Sequence, residues 1–304
     1  MFELLKGTKM DFMSKKIYTF VISGIFSLLG IFAIVQIGLG RANLGVDFAG
    51  GTAVQIKFAQ TVKLQDVRKA LDEGGLKDFD LQDLPTENKI LVRVKKQEEK
   101  LGGFSEKINQ ILLQKFSDKK PVIDSVTEIG PKVGSRLKKD AMWAVIIATI
   151  GILVYVAWRF QFRFGVGATI ATFHDVLAVL GIFYISGKEM NLIFLSALLT
   201  IAGYSLTDTV VVFDRIRENI KKMLKEPIEV IVNKSINEVL SRTIVTSLTT
   251  FLAAFALFLF GGEVIHDFAL AMLIGIAIGT YSSIFVASPV VVLLGRKRGP
   301  KKVA

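Results

Sequence analysis

Six stretches of this chain are apolar over at least 18 residues each, and that length is the strongest constraint on its fold. They are Ile17 to Leu39, Ala141 to Trp158, Phe164 to Ser186, Asn191 to Phe213, Thr243 to Phe260 and Phe268 to Leu294. A bilayer core about 30 Å thick is crossed by about 20 helical residues at 1.5 Å each. In lipid the backbone has no water to bond to, so each stretch is expected to be a helix that satisfies its own amides. A hydrophobic content of 51% and a mean hydropathy of +0.51 over 304 residues agree with a polytopic membrane protein.

The net charge of +11 is largely topological. Lysine and arginine number 17 over Met1 to Lys16, Arg159 to Arg163, Arg215 to Lys234 and the residues after Leu294, whereas the two short connections on the other side carry only Lys188. By the positive-inside rule both termini are cytoplasmic. Residues 1–16 and 295–304 are then cytoplasmic ends, 214–242 is an amphipathic cytoplasmic connection and 40–140 lies outside. The connection is expected either to expose a solvated charged face or to lie along anionic lipid. No basic run is interleaved with aromatic residues, so nucleic acid is not an expected partner. The first apolar stretch has a basic lead, but its 23 residues exceed a signal-peptide core, and it is read as an anchor. Cysteine is absent, which removes thiol nucleophiles, thiolate metal sites and disulfides together.

The outer segment alternates periods. Thr52 to Phe58, Phe79 to Leu84, Ile90 to Lys95 and Val122 to Ile129 read as strands, with helices at Leu64 to Glu73 and Phe104 to Phe116 and a turn at Pro85 to Asn88. The order β-α-β-β-α-β predicts a small α+β, ferredoxin-like head. Such a sheet leaves an edge or a face open to an extended polypeptide, although a rigid spacer or a docking surface fits the same order.

Four acidic, basic or imidazole side chains fall at membrane depth: His174 and Asp175 in the third span, Asp208 in the fourth and Arg242 at the start of the fifth. A carboxylate there is costly unless it is paired, wetted or protonated, so it marks charge movement. Asp208 lies 17 residues from Asn191 and Arg242 lies 19 from Gly261. At 1.5 Å per residue these are depths of about 26 and 29 Å, which nominates Arg242 as the partner of Asp208. An acid whose distance from a guanidinium changes with helix arrangement couples shape to protonation. The bland alternative is an Arg242 that snorkels and an Asp208 held neutral by hydroxyls. In the last span Ala271, Gly275, Gly279, Ser283 and Ala287 draw a stripe of small residues suited to close helix packing. Two histidines 92 residues apart give no metal spacing, and Gly45 to Gly51 lacks the ending of a phosphate loop. No cofactor and no catalytic residues are implied.

Leu44-Gly45-Val46-Asp47-Phe48-Ala49-Gly50-Gly51-Thr52 resembles the opening signature of the SecD and SecF family of preprotein-translocase subunits. Gly203 to Asn219, which contains Asp208, Asp214 and Arg215, looks like the fourth-span signature of SecF, and Ser235 to Thr243 is similar to the start of its fifth span. The resemblance covers nearly the whole chain. It implies a fold of the resistance-nodulation-division superfamily, residence in a prokaryotic cytoplasmic membrane, and a complex with SecD beside the SecYEG channel. There the proton gradient would help to move and release exported preprotein. It also implies that Asp208 and Arg242 are the proton-coupling pair. Thr207 departs from the asparagine more usual before that aspartate, and a tuned site is expected. Three other readings stay open: a proton-driven exporter of lipids or small molecules, a scaffold for SecD, and an intramembrane hydrolase. The last lacks any nucleophile motif.

Overall fold

The computed structural model describes residues 8–77, 79–84, 88–94, 103–159 and 162–295. These divide into two compact units, Leu44–Trp143 and the rest.

In the first unit, strands β1 (Gly51–Lys57), β2 (Phe79–Leu84), β3 (Lys89–Val94) and β4 (Val122–Ile129) form one sheet in the order β2-β3-β1-β4. All neighbours are antiparallel, with Val54 opposite Val92 and Val126. This is the expected split arrangement, and its period-2 pattern has a physical basis. Val54, Ile56, Ile90 and Val92 point to one face, where Val67 and Leu71 of one helix and Ile108 and Leu112 of another bury them completely or nearly so. Those helices are Leu64–Glu73 and Phe104–Lys115. The other face is polar: Ser125 Oγ donates to Gln55 at 2.9 Å, and Arg93 bonds Gln82. Of the turn expected at Pro85 to Asn88, only Asn88 lies among the described residues, in the left-handed region at φ 52°.

The Gly45 to Gly51 motif makes the entry to this sheet. One helical turn, Val46–Ala49, is followed by Gly50 and Gly51 at φ 71° and 129°. Those angles suit glycine. Space is short as well, since a Cβ on Gly134 would come within 3.0 Å of the Gly50 amide nitrogen. Asp47 stands in the first turn of that helix.

Among the described residues six helices have the length and apolarity of membrane spans. They are α1 (Lys16–Gly38), α5 (Pro131–Arg159), α6 (Phe162–Ile185), α7 (Leu192–Lys222), α8 (Ile228–Phe260) and the last span, which runs as α9 (Gly262–Ser282), a π-helical turn (Ser283–Ala287) and α10 (Ser288–Leu294). Numbers α2 to α4 belong to the short helix and the two head helices. Spans α6, α7 and α9–α10 bury half or more of their most apolar stretch, whereas α1, α5 and α8 bury less than a fifth. The polar residues at membrane depth therefore reside mainly on the inner three.

Two local features shape this bundle. Gly30 of α1 and Gly181 of α6 meet so closely that a Cβ on Gly30 would lie 2.2 Å from the Leu177 carbonyl oxygen. In the last span Pro289 has no amide hydrogen to give to the helix, which favours a widened turn just before it. Its freed carbonyls find side chains: Ser288 Oγ donates to the Ser283 carbonyl at 2.9 Å, and Thr19 Oγ1 of α1 lies 3.5 Å from that of Phe285.

Helices α7 and α8 continue well past the apolar stretches. Residues 214–222 extend α7, residues 228–242 begin α8, and five residues ending in Pro227 join them. Their facing sides are buried through Ile216, Asn219, Ile231, Val232 and Ser235. This segment is a packed helical hairpin with charged outer faces. The N-terminal residues dock on it, with Met10 and Phe12 amides donating to Asn237 and Asn233.

Candidate functional site

Asp208 is one turn beyond Ser205 on α7, and both face the last span. The Asp208 carboxyl is 8% exposed and accepts a hydrogen bond of 2.5 Å from Ser283 Oγ, the first residue of the π turn. Thr243 Oγ1 of α8 lies buried beside it without a hydrogen bond of ordinary geometry.

Asp175 on α6 is fully buried and more heavily bonded. Its Oδ2 accepts from Ser205 Oγ of α7 and, at 2.7 Å, from Ser282 Oγ of α9, while Oδ1 is 2.9 Å from His174 Nδ1. His174 Nε2 is buried with no hydrogen-bond partner among the described residues, and its ring is 6.3 Å from that of Tyr281. The Tyr281 hydroxyl in turn donates to the Thr19 carbonyl of α1 at 2.9 Å and lies 3.1 Å from Ser23 Oγ. Thr280 Oγ1 is 2.7 Å from Ser247 Oγ of α8. A chain of hydroxyls and two acids thus ties the inner spans to their outer neighbours.

Arg242 stands differently from the expectation. Its side chain is exposed, and among the described residues no hydrogen bond or ion pair joins it to Asp208. The guanidinium stays within electrostatic reach of the acid. The reason is helical geometry: successive residues are rotated by about 100°, so with Thr243 turned inward its predecessor faces the outside of the bundle. Depth arithmetic sets the level of a residue and leaves its direction open. Thr207 is exposed as well, and its hydroxyl donates to the Gly203 carbonyl, 3.1 Å away on its own helix.

Gly275 and Gly279 face α7. A Cβ on Gly275 would collide with Ile201 at 2.4 Å, and one on Gly279 would press against Ser205 at 3.3 Å. This close approach lets Ser282 and Ser283 reach the two acids. Asp214 and Arg215 lie in the hairpin beyond the apolar stretches. Asp214 pairs with Arg159 at 3.3 Å, and Arg215 pairs with Glu238 at 2.6 Å and Glu218 at 2.5 Å. Asn219 completes that cluster through Glu238 and Ser235. Among the described residues no group of three His, Cys, Asp or Glu side chains is arranged to hold a metal.

The sequence reading missed Ser205, Tyr281 and Ser282 and assigned Ser283 to packing alone. A signal existed for Ser205, which is three residues from Asp208 and so on the same helix face. Nothing comparable marks Ser282 and Ser283 as acid partners, because that depends on which helix lies opposite.

Comparison with known proteins agrees with this architecture. Residues 42–62 match the SecD/SecF GG motif, and residues 109–297 match the C-terminal region of the protein export membrane proteins SecD/SecF. The chain is 63% identical to the protein translocase subunit SecF of Thermodesulfovibrio yellowstonii over 97% of its own length and 98% of that protein's. The chain belongs to the SecD/SecF family of protein export membrane proteins. A second relative, the protein translocase subunit SecF of Calditerrivibrio nitroreducens, is 43% identical over 96% of both chains. The crystal structure of SecDF, a translocon-associated membrane protein from Thermus thermophilus, superposes with a TM-score of 0.85 at 36% identity, covering 96% of this chain and 39% of that one. Against SecDF in its super-membrane-facing form the TM-score is 0.69 at the same identity and coverage. The chain therefore spans about two fifths of the SecDF chains it matches.

Proposed function

We propose that this chain is the SecF-type subunit of a Sec-pathway complex that uses the proton gradient to promote movement and release of preproteins across the cytoplasmic membrane. A SecD-type chain is the partner, a reading supported by the match to 39% of a SecDF chain and to 98% of a SecF subunit. The SecYEG channel, the preprotein in transit, lipid and protons complete the set of partners.

The observation that carries the mechanism is the setting of Asp208. It is buried in the bundle and bonded to Ser283, and Arg242 of a different helix lies within electrostatic reach. Moving α8 relative to α7 changes the distance between carboxyl and guanidinium and hence the proton affinity of the acid. A proton arriving from outside and leaving to the cytoplasm then alternates two helix arrangements. One charge crossing 100 mV releases about 2.3 kcal/mol, enough to bias such an equilibrium nearly fiftyfold. His174 and Asp175 form a second acid-bearing site in the same bundle, and we assign them to the same coupling.

Asp208→Asn keeps the shape and removes the titration. In inverted membrane vesicles holding the assembled complex, the gradient-dependent part of preprotein export should vanish while the gradient-independent part persists. Unchanged sensitivity of export to gradient collapse would show that Asp208 does not couple the two.

A further inference from the structure

The two buried acids sit on different helices, yet their serine partners are consecutive residues. Ser282 Oγ bonds Asp175, and Ser283 Oγ bonds Asp208. The pair stands where α9 gives way to the π turn. Each serine also has a second acceptor on its own helix: the Gly279 carbonyl is 3.1 Å from Ser282 Oγ, and the Thr280 carbonyl is 3.0 Å from Ser283 Oγ. A hydroxyl carries one hydrogen, so it serves the carboxylate or the carbonyl and not both.

We propose that Ser282 and Ser283 are paired positioning residues through which the protonation of Asp208 is felt at Asp175, and the reverse. The inference rests on the proton-coupling function above and adds the route between the two acids. An ionised carboxylate takes the serine hydrogen, because a hydrogen bond to a charged acceptor is about twice as strong as a neutral one. When a proton binds Oδ2, that oxygen becomes a donor, and the hydroxyl turns to the carbonyl three residues back. At Asp208 this turn engages the carbonyl of Thr280, whose side chain holds Ser247 of α8. At Asp175 it engages the carbonyl of Gly279, the residue in contact with Ser205, itself a donor to Asp175. The carbonyls belong to adjacent residues, as do the hydroxyls, so a backbone shift that suits one serine displaces the other. The π turn provides the slack, since its wider ring is less tightly held than an α turn. The Ser283 carbonyl lies in this widened stretch and is already held by Ser288 Oγ.

Among the described residues, the titratable and charged groups set around the pair are His174 and Asp175 on α6, Asp208 on α7, Arg242 on α8 and Tyr281 on α9. Helix α1 contributes only the hydroxyls of Thr19 and Ser23. Direct charge interaction between the acids needs no hydroxyl. Removing the serines therefore separates the two routes.

The test is an infrared pH titration of the carboxyl bands in the chain assembled with its membrane partner in lipid, with bands assigned by Asp175→Asn and Asp208→Asn. With both serines present, Asp175→Asn should move the Asp208 midpoint by about half to one pH unit, a threefold to tenfold change in proton affinity. In the Ser282→Ala, Ser283→Ala double variant the same change should move it by less than about a third of that. Ser282→Cys with Ser283→Cys keeps a small side chain of the same connectivity with only a weak donor and should behave like the alanine pair; it is read instead if the alanine pair fails to assemble. An equal movement with and without the hydroxyls, or no movement in either background, overturns the proposal. The titration involves no export, so its outcome is independent of the effect of Asp208→Asn on gradient-driven export.

Discussion

Replacing Asp175 by alanine should destabilise the bundle by about 2–3 kcal/mol, whereas asparagine at the same place should cost less than about 1 kcal/mol. Asp175 is fully buried and holds three polar partners, accepting from Ser205 Oγ and Ser282 Oγ and lying 2.9 Å from His174 Nδ1. Alanine leaves all three without that partner. Ser282 still has the Gly279 carbonyl within 3.1 Å, so two groups bear the loss. A buried polar group without a partner costs about 1–3 kcal/mol, while hydrogen bonds between membrane helices average about 0.6 and reach about 1.7 kcal/mol. Serine in a helix can also bend back to the carbonyl four residues earlier, which lowers the estimate to the range given. Asparagine keeps a carbonyl oxygen for the two serines and presents its amide to His174 Nδ1, which accepts in one neutral tautomer. The assay is reversible unfolding in mixed lipid and dodecyl sulfate micelles, followed by circular dichroism. Stabilities of the alanine and asparagine variants within about 0.5 kcal/mol of each other would refute the reasoning, because the hydrogen-bond network would then contribute nothing beyond side-chain volume.

Two further outcomes are expected. Gly30→Ala places a methyl more than 1 Å inside ordinary contact with the Leu177 carbonyl, whereas Gly24 on the same helix has nothing within 4 Å of its would-be Cβ. In the same unfolding assay Gly30→Ala should cost about 1–3 kcal/mol and Gly24→Ala should be neutral or slightly stabilising, and equal effects would show that α1 does not pack on α6 at this crossing. At the N-terminus the Asn233 amide, bonded at 2.7 Å, and the Ser14 amide hold the Asp11 carboxyl below its ordinary value. A depressed carboxyl contributes fully above the unfolded value near 3.9 and loses its contribution as pH falls through the lower folded value. Hydrogen exchange, corrected for intrinsic rate, should therefore show the Met10 and Phe12 amides protected at pH 6 and progressively less protected as pH is lowered below the unfolded value near 3.9, and an Asp11→Ala variant with unchanged protection at pH 6 would exclude Asp11 as the anchor.

The alternation of the head strands and the helix-length apolar runs are local properties, and they were sufficient to give the order of strands and helices in the head and the six long apolar helices found among the described residues. Hydrophobic period and length act on each segment by itself, whatever surrounds it. The motif glycines were visible in the same way, although the reason for Gly50, a left-handed turn crowded by Pro131 and Gly134, required the fold. Relative heights along a helix could also be expected from the sequence, since rise per residue is constant. Directions could not. Whether Arg242 turns toward Asp208 depends on the rotation of α8 about its axis, which is set by what packs against Thr243, Ser247 and Ala254. Likewise two consecutive serines in an apolar run become partners of two separate acids only because Gly275 and Gly279 bring the last span against α7 and Pro289 opens a wider turn beside them. The sequence by itself determined which segments are long and apolar enough to cross a membrane, because length and hydropathy are properties of one chain segment. The tertiary structure alone decided which polar groups meet, because that depends on the rotation and approach of helices distant in sequence.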